Sequence, residues 1–405
     1  MDNFRNNAMH FPMQDIVVVD LSQIYNGPYA TYLMALAGAT VIKVEPPGGE
    51  SLRRRGVVGG AGLPFAMLNG CKQSVTLDLK SADGKSALIE LVRGADVLVE
   101  NFAPGVMDRL GIGADTLREV NPRLIYASSS GYGRDGPYRA YPAMDLTIQA
   151  MAGVMHTTGF PDRPPVKAGP AMADFFAGIH LYGAIATALF DRERSGAARR
   201  VEVAMQDAVY ASLSSSLGLH WASDAEAEAV PRTGNRHGGL AEAPYNVYPA
   251  SDGYIAIICV GEAHWRNLAA LLGDPALADD PRFATLKDRV ANIDAIDALV
   301  SAWTSLHSKQ WLFDAMMDAH VPCAPVRTLD EVVNDPNMHA RGALEWQDHP
   351  QFGRIVVQQS PLRFDGSERF PLTPSRALGA DTDAVLKERL GWDDARVAAA
   401  SGRVS

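Results

Sequence analysis

Five short, largely apolar runs in the first 130 residues limit the fold more than any other feature of this sequence. The runs cover residues 15–22, 39–45, 74–79, 96–102 and 124–129. Helix patterns at residues 29–37 and 81–93 separate some of them, and Ser81 is a suitable N-cap for the second helix. Strands that are apolar on both sides and alternate with helices are typical of a parallel sheet covered on both faces. We therefore predict an α/β fold.

The carboxyl ends of these strands are where a ligand is expected. In open parallel sheets, ligands bind beyond the carboxyl ends of the strands, where the connecting loops diverge. This rule directs attention to residues 23–26, 101–102 and 128–133.

The rest of the chain predicts one long helix and a second region. Residues 174–194 have apolar side chains at spacings of three and four, which indicates a helix. Residues 222–239 are polar and contain glycine, as in a linker. A strand at 253–260 opens a helix-rich region, which returns to strand character at 322–326. Two late strands are predicted near residues 354–357 and 360–364.

Composition and motifs exclude several classes of protein. A net charge of −10 over 405 residues argues against general nucleic-acid binding. Three widely spaced cysteines show neither zinc spacing nor a disulfide framework, which favours a reducing, cytoplasmic location without a metal. We find no signal-peptide pattern and no run of about 18 apolar residues, so no membrane partner is expected. No dinucleotide fingerprint, Walker loop, zincin motif or nucleophile elbow is present.

Asp174 is the single charged residue in the stretch from 168 to 180, and it has two interpretations. Asp is a favoured N-cap and suits the positive end of a helix, so capping is the simpler one. The alternative is catalysis, because backbone N–H groups at a helix start can also hold an oxyanion. Small neighbours such as Gly169 and Ala173 leave room for a substrate. Local sequence alone favours the cap.

A basic cluster, Arg53-Arg54-Arg55, stands out in this acidic chain. One interpretation is a solvated loop. The other is a clamp for phosphate or carboxylate, which the planar guanidinium suits.

Several blocks, taken together in order and spacing, resemble the class III CoA-transferases of the CaiB/BaiF group, the formyl-CoA transferase-like enzymes. The blocks are residues 20–22 with 27–28, 38–46, 68–80, 96–105, 121–126, 131–137, 169–180 and 200–208. The likeness extends over nearly the whole chain.

The resemblance implies a fold and an assembly. A Rossmann-like large domain is built from both chain ends, with a smaller α+β domain inserted, and two subunits form an interlocked homodimer. On this basis residues 1–221 and 326–405 are assigned to the large domain, and 222–325 to the linker and small domain.

The resemblance also implies a mechanism and a set of site residues. Asp174 matches the family's catalytic nucleophile, which carries CoA between an acyl-CoA and a carboxylic acid through aspartyl anhydride and aspartyl-CoA thioester intermediates. CoA is a carried substrate, with no permanently bound cofactor. The implied CoA contacts are Tyr25, Asn26, Leu77, Asp78, Leu79, Lys80, Asn101, Phe102, Ala103 and Arg109. The implied acid-substrate contacts are Gln23, Arg53, Asp145, His237, Gly238 and Gly239.

Two departures and two alternatives accompany this assignment. Oxalate-using members carry a Gln where this chain has Tyr25 and a longer Gly-rich loop near His237, which argues against formate and oxalate.

The related α-methylacyl-CoA racemases need a His directly before the acid at Asp145, whereas this chain has Met144. A racemase lacking one of its two bases loses most of its rate, so the transferase is favoured. A non-catalytic acyl-CoA-binding protein is the other alternative, and the presence of Asp174 argues against it.

Overall fold

The structure, a computed structural model, describes residues 11–54, 62–222 and 232–403. Arg55 of the basic cluster and part of the 222–239 linker lie outside these ranges. Within them are eleven strands and eighteen α-helices, with two short 3-10 helices at Ala211–Leu213 and Pro275–Ala278. The strands are β1 Val17–Asp20, β2 Thr40–Glu45, β3 Gln73–Thr76, β4 Val97–Glu100, β5 Ile125–Ser130, β6 Arg200–Ala204, β7 Tyr245–Ala250, β8 Gly253–Ile258, β9 Cys323–Pro325, β10 Leu344–His349 and β11 Gly353–Gln358. The helices are α1 Asn26–Leu36, α2 Ser51–Arg54, α3 Leu63–Asn69, α4 Ala82–Arg93, α5 Val106–Arg109, α6 Ala114–Val120, α7 Asp145–Met151, α8 Met172–Ser195, α9 Met205–Tyr210, α10 Ser214–Ala222, α11 Glu262–Leu271, α12 Leu286–Ala291, α13 Ile293–Thr304, α14 Lys309–Asp318, α15 Leu329–Val333, α16 Pro336–Ala340, α17 Thr382–Leu390 and α18 Asp394–Ser401.

The predicted parallel sheet is confirmed and has six strands in the order β3-β2-β1-β4-β5-β6. All five neighbouring pairs are parallel. This is the strand order of doubly wound nucleotide-binding folds, and its topological switch point lies between β1 and β4. The five N-terminal runs became β1 to β5, and Ser81 caps α4 by accepting the Gly84 N–H at 2.9 Å. The sixth strand was not predicted.

Side chains on alternate strand positions enter two separate apolar layers, as the pleat requires. Val18 and Val97 pack with α1 and α8 on one face. Val19 and Leu98 pack on the other face, beneath α4, α6, α17 and α18. The C-terminal helices therefore complete the core of a sheet whose first five strands come from the N-terminal third.

Helix α8 is long and apolar enough to span a membrane by length and composition alone. Its inward residues, including Leu181 and Ile185, are fully buried in the layer against the sheet. A core helix passes the same length and composition test, and we interpret α8 as one.

The chain divides into two compact units. The first comprises Met1–Ile148, Ala171–Val209 and Asp335–Ser405, and the second comprises Gln149–Pro170 and Tyr210–Asn334. The second unit has a core of its own around Trp265 and Phe283, and an antiparallel sheet in the order β7-β8-β9. The segment Gln149–Pro170 belongs to this unit, whereas the sequence assignment places it in the large domain.

One predicted strand is wrong. Residues 360–364 do not form a strand, and β11 instead pairs with the preceding β10 in an antiparallel hairpin, with Trp346 opposite Val356. The polar side chains of β10 (Leu-Glu-Trp-Gln-Asp-His) conceal the period-2 pattern of a half-exposed strand.

Candidate active site

Helix α8 begins two residues earlier than Asp174, which corrects the capping interpretation. The N-cap position is Ala171, and Asp174 is the third residue of the helix. The cap comes from another part of the chain, because Asp145 Oδ1 accepts the Ala173 N–H at 2.8 Å and lies 3.4 Å from the Asp174 amide nitrogen. Asp145 therefore caps the start of α8, which is the role that the local sequence assigns to Asp174. The Asp174 carboxylate has no hydrogen-bond partner within the described ranges.

The Asp174 carboxylate lies in an environment that disfavours its charge. The residue is 9% exposed. Burial, with a smaller contribution from the negative charge of Asp145, raises the pKa of Asp174 to about 7. The carboxylate is thus about half ionised at neutral pH, and its ionised form is weakly solvated. Catalytic carboxylates often show such a shift.

The turn between β1 and α1 packs against the start of α8. The Phe175 ring stacks on Tyr25 at 6.1 Å between centroids and meets Tyr29 edge-on at 5.0 Å. Gly178 allows this approach, because a Cβ there would lie 2.6 Å from the Asn26 carbonyl oxygen. The structure therefore brings Tyr25 and Asn26 next to the segment that carries Asp174.

Asn26 connects this turn to β5 and retains an unused acceptor. Its Nδ2 donates to Ser129 Oγ at 2.9 Å, and Ser129 Oγ donates in turn to the Val203 carbonyl at 3.0 Å. Asn26 Oδ1 is buried and has no partner within the described ranges. A buried acceptor without a partner is costly, so this oxygen fits a donor on a ligand, such as an amide N–H. Ser129 is not among the individual contacts predicted from the sequence, although it lies in the segment 128–133 to which the strand-end rule directs attention.

The predicted contacts after β3 divide into buried and exposed residues. Leu77 is fully buried in the apolar layer, so only its backbone can face a ligand. Asp78 follows it, and its amide donates to the Ala400 carbonyl at 2.8 Å, whereas Leu79 is half-buried. Lys80 is exposed, and so is Arg109 at the end of α5. Neither cation has an ion-pair partner among the residues that the structure describes, which suits them to an anionic group such as a phosphate.

Phe102 and Ala103 line a cavity of about 270 Å³ at the carboxyl ends of β4 and β5. Glu100 also lines it, accepting the Phe102 N–H at 2.9 Å and the Tyr126 hydroxyl at 3.3 Å. Burial raises the pKa of Glu100 to about 7. The sequence did not identify Glu100, although it is the last residue of an otherwise apolar strand.

Asn101 and Gln23 are joined through the Gln23 backbone. Gln23 N donates to Asn101 Oδ1 at 2.8 Å, and Asn101 Nδ2 donates to the Gln23 carbonyl at 2.7 Å. These bonds cross the switch point of the sheet and fasten the end of β1 to the end of β4.

Arg53, which the family resemblance implies as a substrate contact, is engaged by neighbouring groups of the chain. Its guanidinium forms a bidentate ion pair with Glu45, with Nε 2.8 Å from Oε2 and Nη2 2.8 Å from Oε1. It also donates to the Arg376 carbonyl at 3.0 Å and lies 3.8 Å above the Phe65 ring. With its donors and its planar face engaged, Arg53 is unsuited to clamp a substrate anion.

His237, Gly238 and Gly239 lie in the second unit and form a turn of their own. The Gly239 amide donates to His237 Nδ1 at 3.2 Å, and the His237 ring contacts Tyr245 edge-on at 5.4 Å. A Cβ on Gly239 would lie 2.8 Å from Leu219 Cδ2, so a side chain there would require the Leu219 side chain to shift. No cluster of three or more metal-ligating side chains occurs in the described ranges.

Comparisons with known proteins identify the family of the chain. The model of CoA-transferase family III matches residues 13–382. The chain is 40% identical over 389 residues to the acetyl-CoA:oxalate CoA-transferase of Acetobacter aceti, covering 95% of this chain and 97% of the relative. It is 36% identical over 397 residues to the formyl-CoA:oxalate CoA-transferase of Streptomyces coelicolor, covering 94% and 96%. A crystal structure of a CaiB/BaiF family protein from Brucella suis superposes with a TM-score of 0.84 at 35% identity, covering 94% of this chain and 99% of that chain. The chain belongs to CoA-transferase family III and is a transferase.

Asp145 offers a test of the electrostatics through the replacement Asp145→Asn. The amide oxygen can still accept the Ala173 N–H, but the charge that raises the Asp174 pKa is gone. A lower pKa keeps Asp174 ionised at lower pH, so we expect the acidic limb of kcat/KM to move down by about 0.5–1 pH unit. Initial rates of CoA exchange measured from pH 5 to 9 check this. An unmoved or upward-shifted limb would contradict the assignment of the limb to Asp174.

Proposed function

We propose that the protein transfers CoA between an acyl-CoA and a short carboxylic acid, with Asp174 as the covalent nucleophile. The observation that carries this proposal is the state of the Asp174 side chain. It is buried, relieved of capping by Asp145, and packed beside the turn of Tyr25 and Asn26. A weakly solvated carboxylate is a better nucleophile than a hydrated one, and covalent relay divides a difficult exchange into easier steps.

In the first half-reaction, an Asp174 carboxylate oxygen attacks the thioester carbonyl carbon. The C–S bond breaks, which gives an aspartyl-acyl anhydride and CoA thiolate. The thiolate then attacks the Asp174 carboxyl carbon and the donor acid leaves as a carboxylate, so an aspartyl-CoA thioester remains. Each intermediate keeps an activated acyl group, so the free energy of the thioester is conserved and neither ATP nor a redox partner is required.

The second half-reaction repeats these steps in reverse with the acceptor. The acceptor carboxylate attacks the Asp174 thioester carbon and releases thiolate, forming a new anhydride. The thiolate attacks the acceptor acyl carbon, and the Asp174 carboxylate is regenerated with the new acyl-CoA. Water has to be excluded, because hydrolysis of the anhydride would lose the thioester.

Each tetrahedral intermediate needs hydrogen-bond donors for its oxyanion, and removing one such donor typically costs about 2.7–4 kcal/mol. The first amides of α8 are poor candidates, because the Ala173 N–H already donates to Asp145 and the Phe175 N–H donates to the Ala171 carbonyl at 3.2 Å.

For the CoA chain, we propose that Lys80 and Arg109 hold the phosphates and that Asn26 Oδ1 accepts an amide N–H of the pantetheine arm. The exposure of the two cations and the unpartnered buried oxygen support these roles. Asn26 and Lys80 lie at the carboxyl ends of β1 and β3, which is where open parallel sheets bind nucleotides. An interlocked homodimer, which rests on the family resemblance, and a cytoplasmic location, which rests on the cysteine pattern, are part of the same proposal.

The acid is proposed to be a short dicarboxylate, since the two relatives described above act on oxalate. Tyr25, which stands where oxalate-using family members are expected to carry a Gln, disfavours oxalate itself.

The substrate class is tested with a panel of acetyl-, formyl- and succinyl-CoA against oxalate, malonate, succinate and glutarate, followed by mass spectrometry. Formation of a new acyl-CoA with equimolar loss of the donor is expected. Absence of exchange with every pair, or proton exchange at the α-carbon of a branched acyl-CoA in D2O without an acceptor, would overturn the transferase assignment.

A further inference from the structure

The turn between β1 and α1 contains a backbone conformation that its sequence disfavours. Ile24 has φ = 69°, in the left-handed region. Branching at Cβ makes this region particularly unfavourable for Ile, and the residue has no glycine-like freedom to relieve the conflict. Such conformations persist only where the surrounding structure imposes them. The residues on either side of Ile24 show what imposes it.

On the N-terminal side, the backbone is held by the nearby Asp20 side chain and by side chains from two other segments. Asp20 Oδ1 accepts the Ser22 N–H at 2.9 Å, and the Lys43 ammonium donates to the Ser22 carbonyl. Asn101 then engages both backbone groups of Gln23, at 2.8 and 2.7 Å. Residue 24 is the first position after this fastened segment.

On the C-terminal side, α1 is fixed by a buried ammonium. Lys72 Nζ lies 3.0 Å from the Pro28 carbonyl oxygen and 2.8 Å from Thr31 Oγ1. Between these two hydrogen-bonded flanks, the chain turns left-handed at Ile24. The same turn directs Tyr25 towards Phe175 and Asn26 towards Ser129.

We propose that Asn101 is a positioning residue: its amide clamps the Gln23 backbone, holds Ile24 in the left-handed turn, and thereby presents Tyr25 and Asn26 to CoA. The inference rests on the proposed function, because it takes CoA as the ligand of this turn. It differs from a direct contact of the Asn101 side chain with CoA, since the oxygen and the nitrogen of the amide are both engaged with Gln23.

The test measures the Kd of CoA itself by titration calorimetry, so it does not depend on turnover. Asn101→Leu keeps the shape and neutral charge of the side chain but removes both hydrogen bonds. We expect CoA binding to weaken about tenfold or more, because the turn is no longer held in its binding conformation. Asn101→Ser, which cannot reach both Gln23 atoms, is a second variant with the same expected direction.

A second substitution separates positioning from direct contact. Asn tolerates the left-handed region better than any other residue except glycine, so Ile24→Asn favours the turn without the clamp. In the Ile24→Asn background, we expect Asn101→Leu to weaken CoA binding less than about threefold. A loss of equal size in both backgrounds would mean that Asn101 contacts CoA directly, and would overturn the inference.

Asn121 provides a matched control. Its Nδ2 donates to the Val92 and Ala95 carbonyls at 2.9 and 2.8 Å, so its side chain also holds backbone groups. Asn121 precedes β5, however, and so lies near the amino ends of the strands, away from the carboxyl ends where CoA is proposed to bind. Asn121→Leu is expected to lower Tm and leave the Kd of CoA unchanged. An equal rise in Kd for both variants would show general destabilisation and overturn the inference. An unchanged Kd in Asn101→Leu would overturn this inference alone, whereas a wild-type protein that does not bind CoA would overturn the proposed function with it.

Discussion

Replacing Asp174 with Asn is expected to lower CoA exchange by about three orders of magnitude or more while leaving CoA binding within a few-fold of wild type. The substitution retains the shape of the side chain but replaces the carboxylate proposed as the nucleophile with a weakly nucleophilic amide, and removal of a covalent nucleophile costs far more than removal of a binding contact. Exchange is measured with acyl-CoA and free acid, and binding with CoA alone. In addition, hydroxylamine added to wild-type protein after exposure to acyl-CoA should mark Asp174 by mass spectrometry.

Asp207 supplies a matched control for this variant. It is also an Asp in the first turn of a helix of the first unit, but its side chain is exposed. Asp207→Asn is expected to retain full exchange. If Asp174→Asn kept more than a few per cent of wild-type exchange, Asp174 would not be the nucleophile.

The same variant is expected to be more stable than wild type above neutral pH. The folded-state pKa of about 7 is above the ordinary Asp value of 3.8, so the folded protein binds this proton more tightly than the unfolded chain. Ionising Asp174 therefore costs stability, and the cost grows from about pH 4 to pH 7 and is constant above. Asn removes that cost, which gives about 2–4 kcal/mol at pH 8 and little near pH 4. Calorimetric Tm values at the two pH values check the sign, and a lower Tm at pH 8 would contradict the electrostatic account.

Lys72→Met is expected to be the most damaging single substitution for stability. Lys72 pairs with Asp20 at 3.1 Å, and their side chains are 1% and 0% exposed. Burial alone would raise the pKa of Asp20, but Lys43, Lys72 and hydrogen bonds from Ser22 and Thr31 bring it down to about 2. Removing Lys72 takes away the ion-pair partner of a fully buried carboxylate and leaves Lys43 as the remaining opposing charge, and breaking a buried pair in this way typically costs about 3–5 kcal/mol. We expect Tm at pH 7 to fall by about 5–15 °C.

The double variant Asp20→Asn with Lys72→Met tests whether the uncompensated charge causes this loss. It removes both charges with little change in volume, so it should be more stable than Lys72→Met alone. In a double-mutant cycle, the loss of unfolding free energy in the double variant should therefore be smaller than the sum of the losses in the two single variants. If the double variant were less stable than either single variant, the packing of the side chains rather than their charges would carry the stability.

Sequence reasoning succeeded where the signal is local and failed where it is carried by distant segments. The strands β1 to β5 and the Ser81 cap were predictable, because apolar runs and a capping residue act within one element. The cap of α8 was assigned to Asp174, because a sequence pattern cannot show that Asp145, 29 residues earlier, reaches the same amides. The clamp of Asn101 on Gln23 spans 78 positions and was equally invisible. The catalytic hypothesis itself came from the family resemblance, because the local pattern favoured a different role.

The layer of α17 and α18 over the sheet has a consequence for biosynthesis. Leu386 and Val397 complete an apolar surface whose strands end near residue 130, so about 250 residues are translated before that surface can be covered. At roughly 5–20 residues per second, this interval lasts about 12–50 s. During it, Val75 of β3, the strand that α17 packs against, is not yet covered by that helix and is open to other chains. We expect ribosome-associated chaperones to hold the emerging chain during this interval, and premature termination upstream of α17 to yield aggregates rather than a smaller soluble enzyme.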